Sequence, residues 1–168
     1  MSWTQVICPI FPLHSQFYMS PDRKEIIDAC HAVLAERNLG IESQLQALRE
    51  SLENESKSTA GDKHDTARAM THLEQEKLGR QELLLSHDLN TLSQLNKHSI
   101  PAQVGLGSVV YTPKGTFFIG PSMGKIEVGS ITVMVISPVA PIAQSMLGKK
   151  AGDEFGFNQF QSVIDGLG

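Results

Sequence analysis

Cysteine is scarce in this chain: Cys8 and Cys30 are the only two among 168 residues. Their separation matches neither a zinc-ligand pair nor the dense framework of a disulfide-stapled secreted domain, so a reduced, cytoplasmic chain is expected. An excess of positive charge is lacking too, with 14 Lys and Arg against 18 Asp and Glu and a net charge of -4. That balance excludes a protein that grips nucleic acid through a general basic surface, while leaving open a protein partner that itself holds nucleic acid. Long apolar runs are missing as well. The longest, residues 131–136, is strand-sized where a bilayer span needs about 20 residues, so no membrane partner is expected. There is no internal repeat and no low-complexity segment. What remains is room for one ordinary domain, or for a small globular domain carrying an extended element.

Residues 1–20 read as a leader, disordered or not translated. Its apolar run from Val6 to Leu13 contains Pro9 and Pro12 and lacks both a basic start and a small-residue cleavage site, which argues against a signal peptide. Met19, Ser20, Pro21 and Asp22 look like a fresh start, so residues 1–18 would be an extension from a misplaced start codon or a leader without an assigned function.

Ser20, Pro21 and Asp22 also form a helix-start signal: a Ser N-cap, a Pro at the first helical position and an acid near the positive end of the helix. Apolar residues then recur at Ile27, Cys30, Leu34, Ile41, Leu45, Leu48 and Leu52, the narrow seam of a helix facing one partner. The rhythm breaks between Arg37 and Gly40, where a step through Asn38 resembles a stutter and a local bend is expected. A second helix is predicted over 65–96, with Met70, Leu73, Leu78, Leu85, Leu89, Leu92 and Leu95. Two helices of similar length with a short polar link predict an antiparallel coiled-coil hairpin over residues 21–97, roughly 45 to 50 Å long. Its tip would be residues 55–65, where Gly61 and a Ser/Thr/Ala cluster supply the loose backbone a reversal needs. A hairpin that merely dimerises is the simpler alternative.

Pro101 ends the helical part, and composition changes after it. Residues 108–112, 116–119, 125–128, 131–136 and 154–157 read as strands separated by Gly and Pro turns, with a further one over 161–165. Residues 137–147 have helical spacing, and Gly148 is the expected C-cap. The fold class is therefore α+β: a helical hairpin, then a small antiparallel sheet domain with one short helix over residues 98–168.

Few residues offer chemistry. The stretch from Gly120 to Ile126 has a glycine and lysine arrangement like a phosphate loop, but it is one residue short and ends in Ile where a hydroxyl must reach magnesium. A hairpin turn explains it. Gly105 and Gly107 form a linker. Cys30 falls on the apolar seam without an oriented base, so it belongs to the core. The six histidines are dispersed, and only His64 stands among acids; a metal site from Asp62, His64 and Asp65 is less economical than a solvated loop histidine. Asp62 and Asp65 lie three residues apart at a helix start, on one side of its first turn. Such a pair can share a hard divalent cation but needs further ligands from elsewhere; favourable placement of acids at a helix N-terminus is the simpler account.

The Gly61-Asp62 tip with a second acid at Asp65, followed by a sheet domain with Ser137-Pro138 and then Leu147, Gly148, Lys149, Lys150, Ala151, Gly152 and Asp153, resembles the bacterial Gre transcript-cleavage factors. The resemblance spans residues 21–168 and is most specific over 147–153. It implies an FKBP-like C-terminal domain, without prolyl isomerase activity, that docks at the rim of the RNA polymerase secondary channel through Ser137, Pro138, Leu147, Gly148, Lys149, Lys150, Gly152 and Asp153. It also implies that the hairpin enters that channel, where Asp62 and Asp65, as catalytic and metal-binding residues, would help hold Mg2+ jointly with the polymerase and promote cleavage of backtracked nascent RNA. Such a factor would be a monomeric accessory protein, not an enzyme by itself. Where the family has Leu-Ser, Glu and Asn, this chain has Lys63-His64, Asp65 and Thr66. Two alternatives follow: a secondary-channel binder that modulates without cleavage, and a structural hairpin protein unrelated to transcription.

Overall fold

The computed structural model describes residues 20–56, 63–95 and 102–168, with backbone alone for 54–56 and 63–68. Two long helices, α1 (Arg23–Ser56) and α2 (Lys63–Leu95), precede the small domain. Helix α1 starts at a reciprocal cap. The Asp22 carboxylate accepts the Lys24 N–H, and Glu25 Oε2 accepts the Asp22 N–H at 3.0 Å. Both donors would otherwise be orphaned at a helix start. The cap is thus Asp22 and not Ser20, and Pro21 lies one residue outside the helix, because Asp22 has Glu25 three residues on and Ser20 does not. The Pro21 carbonyl accepts the Tyr111 hydroxyl at 3.1 Å, tying the helix start to the sheet. At Gly40, where a bend was expected, α1 continues as one helix.

Ile27, Cys30, Leu34 and Ile41 of α1 share one buried cluster with Leu85, Leu92 and Leu95 of α2, and Leu45 and Leu89 pack against it. At one end the Arg23 guanidinium donates to the Leu95 carbonyl at 2.9 Å. Further along, Leu34, Ile41 and Gln44 line the same groove as Gln81, Leu85 and Asp88. Two seam positions are placed differently from the expectation, Met70 being 68% and Leu73 66% exposed. The buried face of α2 repeats every seven residues through Leu78, Leu85 and Leu92, and one further step back reaches Thr71, so Met70 and Leu73 fall beside that face. Ile26, fully buried, was not on the expected seam; it belongs to a second face of α1. Among the described residues no helix is long and apolar enough to cross a membrane.

The small domain contains β1 (Val109–Thr112), β2 (Gly115–Ile119), β3 (Gly124–Val128), β4 (Ile131–Ile136), α3 (Pro141–Met146), β5 (Glu154–Phe157), β6 (Phe160–Val163) and β7 (Gly166–Leu167). Five strands form one sheet in the order β3-β4-β2-β1-β7, and β5 pairs with β6 separately. The expectation of a wholly antiparallel sheet is corrected here, since β2 and β4 run parallel, Thr116 opposite Val133 and Ile119 opposite Ile136. The reason is the path between them. The chain reverses after β2, runs out along β3, reverses again at Gly129 (φ 62) and returns as β4 between β3 and β2. Two reversals restore the direction.

Alternation along the strands divides the domain into two cores. Val109, Phe118, Ile126, Val133 and Val135 face the cluster shared with α1 and α2. Val110, Phe117 and Ile119 face Ala143, Met146 and Phe155 on the other side. The sheet is therefore the middle of three layers, with the long helices against one face and α3 with the β5–β6 ribbon against the other. Burying a phenylalanine such as Phe118, which is fully inaccessible, contributes about 1.5–3 kcal/mol.

Candidate functional site

The two acidic candidates are positioned by the start of α2. Asp62 immediately precedes its first residue, Lys63, and Asp65 is in its first turn; Asp62 itself and the side chain of Asp65 lie outside the described residues. Helices α1 and α2 are joined by residues 57–62 alone, so both acids belong to the link between the two longest elements. The donor set decides what they can hold. Two carboxylates offer hard oxygen ligands that suit Mg2+ but fall short of the six it takes, so a magnesium ion here would need several ligands from water or from a partner. Among the described residues no group of three or more His, Cys, Asp and Glu could hold a metal ion.

The other candidates sit together at the two ends of α3. Before it, the Val139 N–H is 3.4 Å from Ser137 Oγ, the Ala140 N–H donates to the Ser137 carbonyl at 2.9 Å, and the Gln144 carboxamide donates to the Pro138 carbonyl. These bonds fold Ser137 and Pro138 into the turn that starts α3. Val139, which sequence reasoning did not single out, is 79% exposed between them and the helix. A valine flanked by prolines in a turn is a signal that could have been read, because such a side chain has no core to enter.

After α3, Gly148 takes a positive φ of 78° while the Leu147 N–H donates to the Ala143 carbonyl and the Gly148 N–H to the Val104 carbonyl, each at 2.9 Å. Glycine is needed there for the left-handed backbone that closes a helix. The next turn is closed by Asp153, whose carboxylate accepts the Lys150 N–H at 2.8 Å and whose own N–H donates to the Lys150 carbonyl at 3.1 Å. Gly152, with φ 92°, donates to the Ile164 carbonyl at 2.7 Å. Leu147 packs against the second core, whereas Gly148, Lys150, Gly152 and Asp153 are exposed. Lys149 lines a polar hollow of about 690 Å³ with Ser145, Glu154, Gln161 and Ser162. Much of the 147–153 pattern thus does structural work: two glycines permit the backbone and Asp153 caps a turn.

A feature unnoticed in the sequence lies where α1 and α2 leave the sheet domain. A groove of about 560 Å³ is bordered by Leu34, Ile41, Leu84, Leu85 and Ser122, with Arg37 and Asp88 at its polar side. Burial pushes the Asp88 carboxyl up, opposed by the charges of His87 and Arg37. The consecutive leucines Leu83, Leu84 and Leu85 carried the signal, since one helix face cannot bury all three. Cys30 lies deeper, its thiol pushed up to about 12 by burial, which suits a core residue and not a nucleophile.

A scan of the chain against protein-family models finds no match, and a search of curated proteins finds none either.

Proposed function

We propose that this chain is a Gre-like elongation factor that binds RNA polymerase, a cytoplasmic monomer in which α1 and α2 form an antiparallel coiled-coil hairpin and the sheet domain is FKBP-like. The hairpin would enter the secondary channel of the polymerase, while Ser137, Pro138, Leu147, Gly148, Lys149, Lys150, Gly152 and Asp153 would meet its rim. One observation carries this reading. Helices of 34 and 33 residues are linked by residues 57–62 alone, and an antiparallel hairpin of that length would carry Asp62 and Asp65 about 50 Å from the sheet domain. Acids carried that far from the sheet domain would be well placed for delivery to a partner. Asp62 and Asp65 would supply carboxylate oxygens to Mg2+ held jointly with the polymerase; the metal would supply Lewis acidity and an activated water for hydrolysis of backtracked RNA.

Asp65 favours a second reading. It is one methylene shorter than the family's glutamate, and retreat by about one C–C bond, ~1.5 Å, can cost on the order of a hundredfold in rate. Binding without stimulated cleavage is the outcome that shortening would produce. The two readings separate in stalled, backtracked transcription complexes. Cleavage faster than by polymerase alone, lost in Asp62→Ala and Asp65→Ala, supports the first; co-purification with core polymerase without faster cleavage, with gain of cleavage in Asp65→Glu, supports the second. Absence of binding to core polymerase would overturn both.

A further inference from the structure

We propose that the outer edge of β5 binds an extended peptide segment as an added strand, in the hollow between the β5–β6 ribbon and the end of α3. The ribbon has two strands, and its two edges are not alike. Phe157 and Phe160 flank a two-residue turn with Asn158 at φ 55°, and the closing pair of such a turn is bonded across the ladder. Four residues earlier, the Ile164 N–H donates to the Asp153 carbonyl at 3.0 Å. Asp153, Phe155 and Phe157 therefore turn their backbone groups inward to β6, and Glu154 and Gly156 turn theirs outward. On β6 the outward position is Gln161, and its carbonyl is taken by the Lys114 ammonium. The edge of β5 has no such cover. Among the described residues no backbone bond from outside the ladder reaches Glu154 or Gly156, and donors and acceptors left open two residues apart are what an added strand uses.

Room and charge say what the edge would take. The hollow of about 690 Å³ runs from Ser145 and Lys149 on the α3 side across Glu154 and Gly156 to Gln161 and Ser162 on the ribbon. Gly156 keeps it open: it shares one face of the ribbon with Gln161, and a Cβ there would lie 3.3 Å from Gln161 Cγ. Lys149 and Glu154 bring one positive and one negative charge to the hollow. Among the described residues neither side chain has a hydrogen bond or an ion pair. A strand with an acidic and a basic side chain two residues apart, hence on one face, complements both. The four residues of β5 set the length it reads. The β5 strand of a second copy, Glu154–Phe157, has no basic residue to offer Glu154, so it matches only half of the site. The proposal stands whether or not the chain binds RNA polymerase.

Titration of the isotope-labelled full chain with acetyl-Val-Glu-Val-Lys-Val-amide, followed by amide NMR, tests the edge directly. Binding in the millimolar range should shift the Glu154 and Gly156 amides and slow their hydrogen exchange severalfold, while Phe155 and Phe157, already bonded to β6, keep their exchange rates. That alternation is the mark of an added strand. The same peptide N-methylated at every backbone amide should not bind. Lys149→Glu and Glu154→Lys, both at the surface, should each weaken binding of the charged peptide severalfold and leave that of acetyl-Val-Gln-Val-Gln-Val-amide unchanged. Glu154 and Gly156 amides that do not respond to millimolar peptide, protection without alternation, equal binding of the N-methylated peptide, or protection that grows with protein concentration in the absence of peptide, as a second copy takes the edge, would each overturn the proposal.

Discussion

The sheet domain and the paired long helices bury their apolar residues in different ways. In the sheet, Val109 and Val110 are both fully buried, as are Phe118 and Ile119, because layers on both faces use consecutive residues. Among the described residues of α1 the buried positions are Ile26, Ile27, Cys30, Leu34 and Ile41, none beyond the nineteenth of its 34 residues, while Leu48 and Leu52 further on are only partly covered. The difference teaches how long helices can be held at one end. Their base is part of a globular core, and beyond Ile41 the described side chains of α1 are at most partly covered, as at Leu45, Leu48 and Leu52.

The sharpest way to break this contrast is to hollow each part in turn. Phe118→Ala should destabilise the sheet domain by about 3–5 kcal/mol, read by chemical denaturation, with α1 losing its base as well because Phe118 belongs to the shared cluster. Leu92→Ala, also at a fully buried site, should cost about 2–5 kcal/mol, whereas Leu48→Ala should cost clearly less. Equal losses at Leu92 and Leu48 would show that the long helices are packed as firmly at Leu48 as at their base. Next in size, Asp22→Ala removes the cap of α1 and should cost about 1 kcal/mol, with faster hydrogen exchange confined to its first turn.

Near neutral pH the smallest effect concerns Cys30, and its sign at higher pH is definite. Well below pH 9 its thiol is protonated in the folded and unfolded chain alike and contributes no pH dependence. Above that, the unfolded chain ionises while the folded one holds its proton up to about 12, so stability should fall as pH rises through this window. Cys30→Ala should make that decline shallower, and at pH 8 the folded protein should resist thiol alkylation at Cys30 until it is unfolded.

Strand positions were legible because burial on one side leaves a period of two and turns leave glycine: β4 lies at residues 131–136, as its Val and Ile content implies, and Gly148 closes α3. Strand order was not, because nothing local to β2 records that β4 and not β3 will lie beside it. The cap was misread by two residues, since Ser20 and Asp22 are both good caps and only the reciprocal bond to Glu25 separates them. Asp62 and Asp65 are visible as an acidic pair, but two carboxylates alone do not record what, if anything, they hold. The groove at Leu84 escaped notice because a leucine beside a leucine seam looks like a member of it.

The short pairing of β7 with β1 bears on the order in which the chain can mature during synthesis. Val110 lies opposite Leu167, and the Gly168 N–H donates to the Val109 carbonyl at 3.0 Å, so β1 must wait for residues made 57 positions later. Both long helices leave the ribosome before that edge closes. A nascent chain halted before residue 166 would therefore leave the β1 edge open, ready to pair with a neighbour.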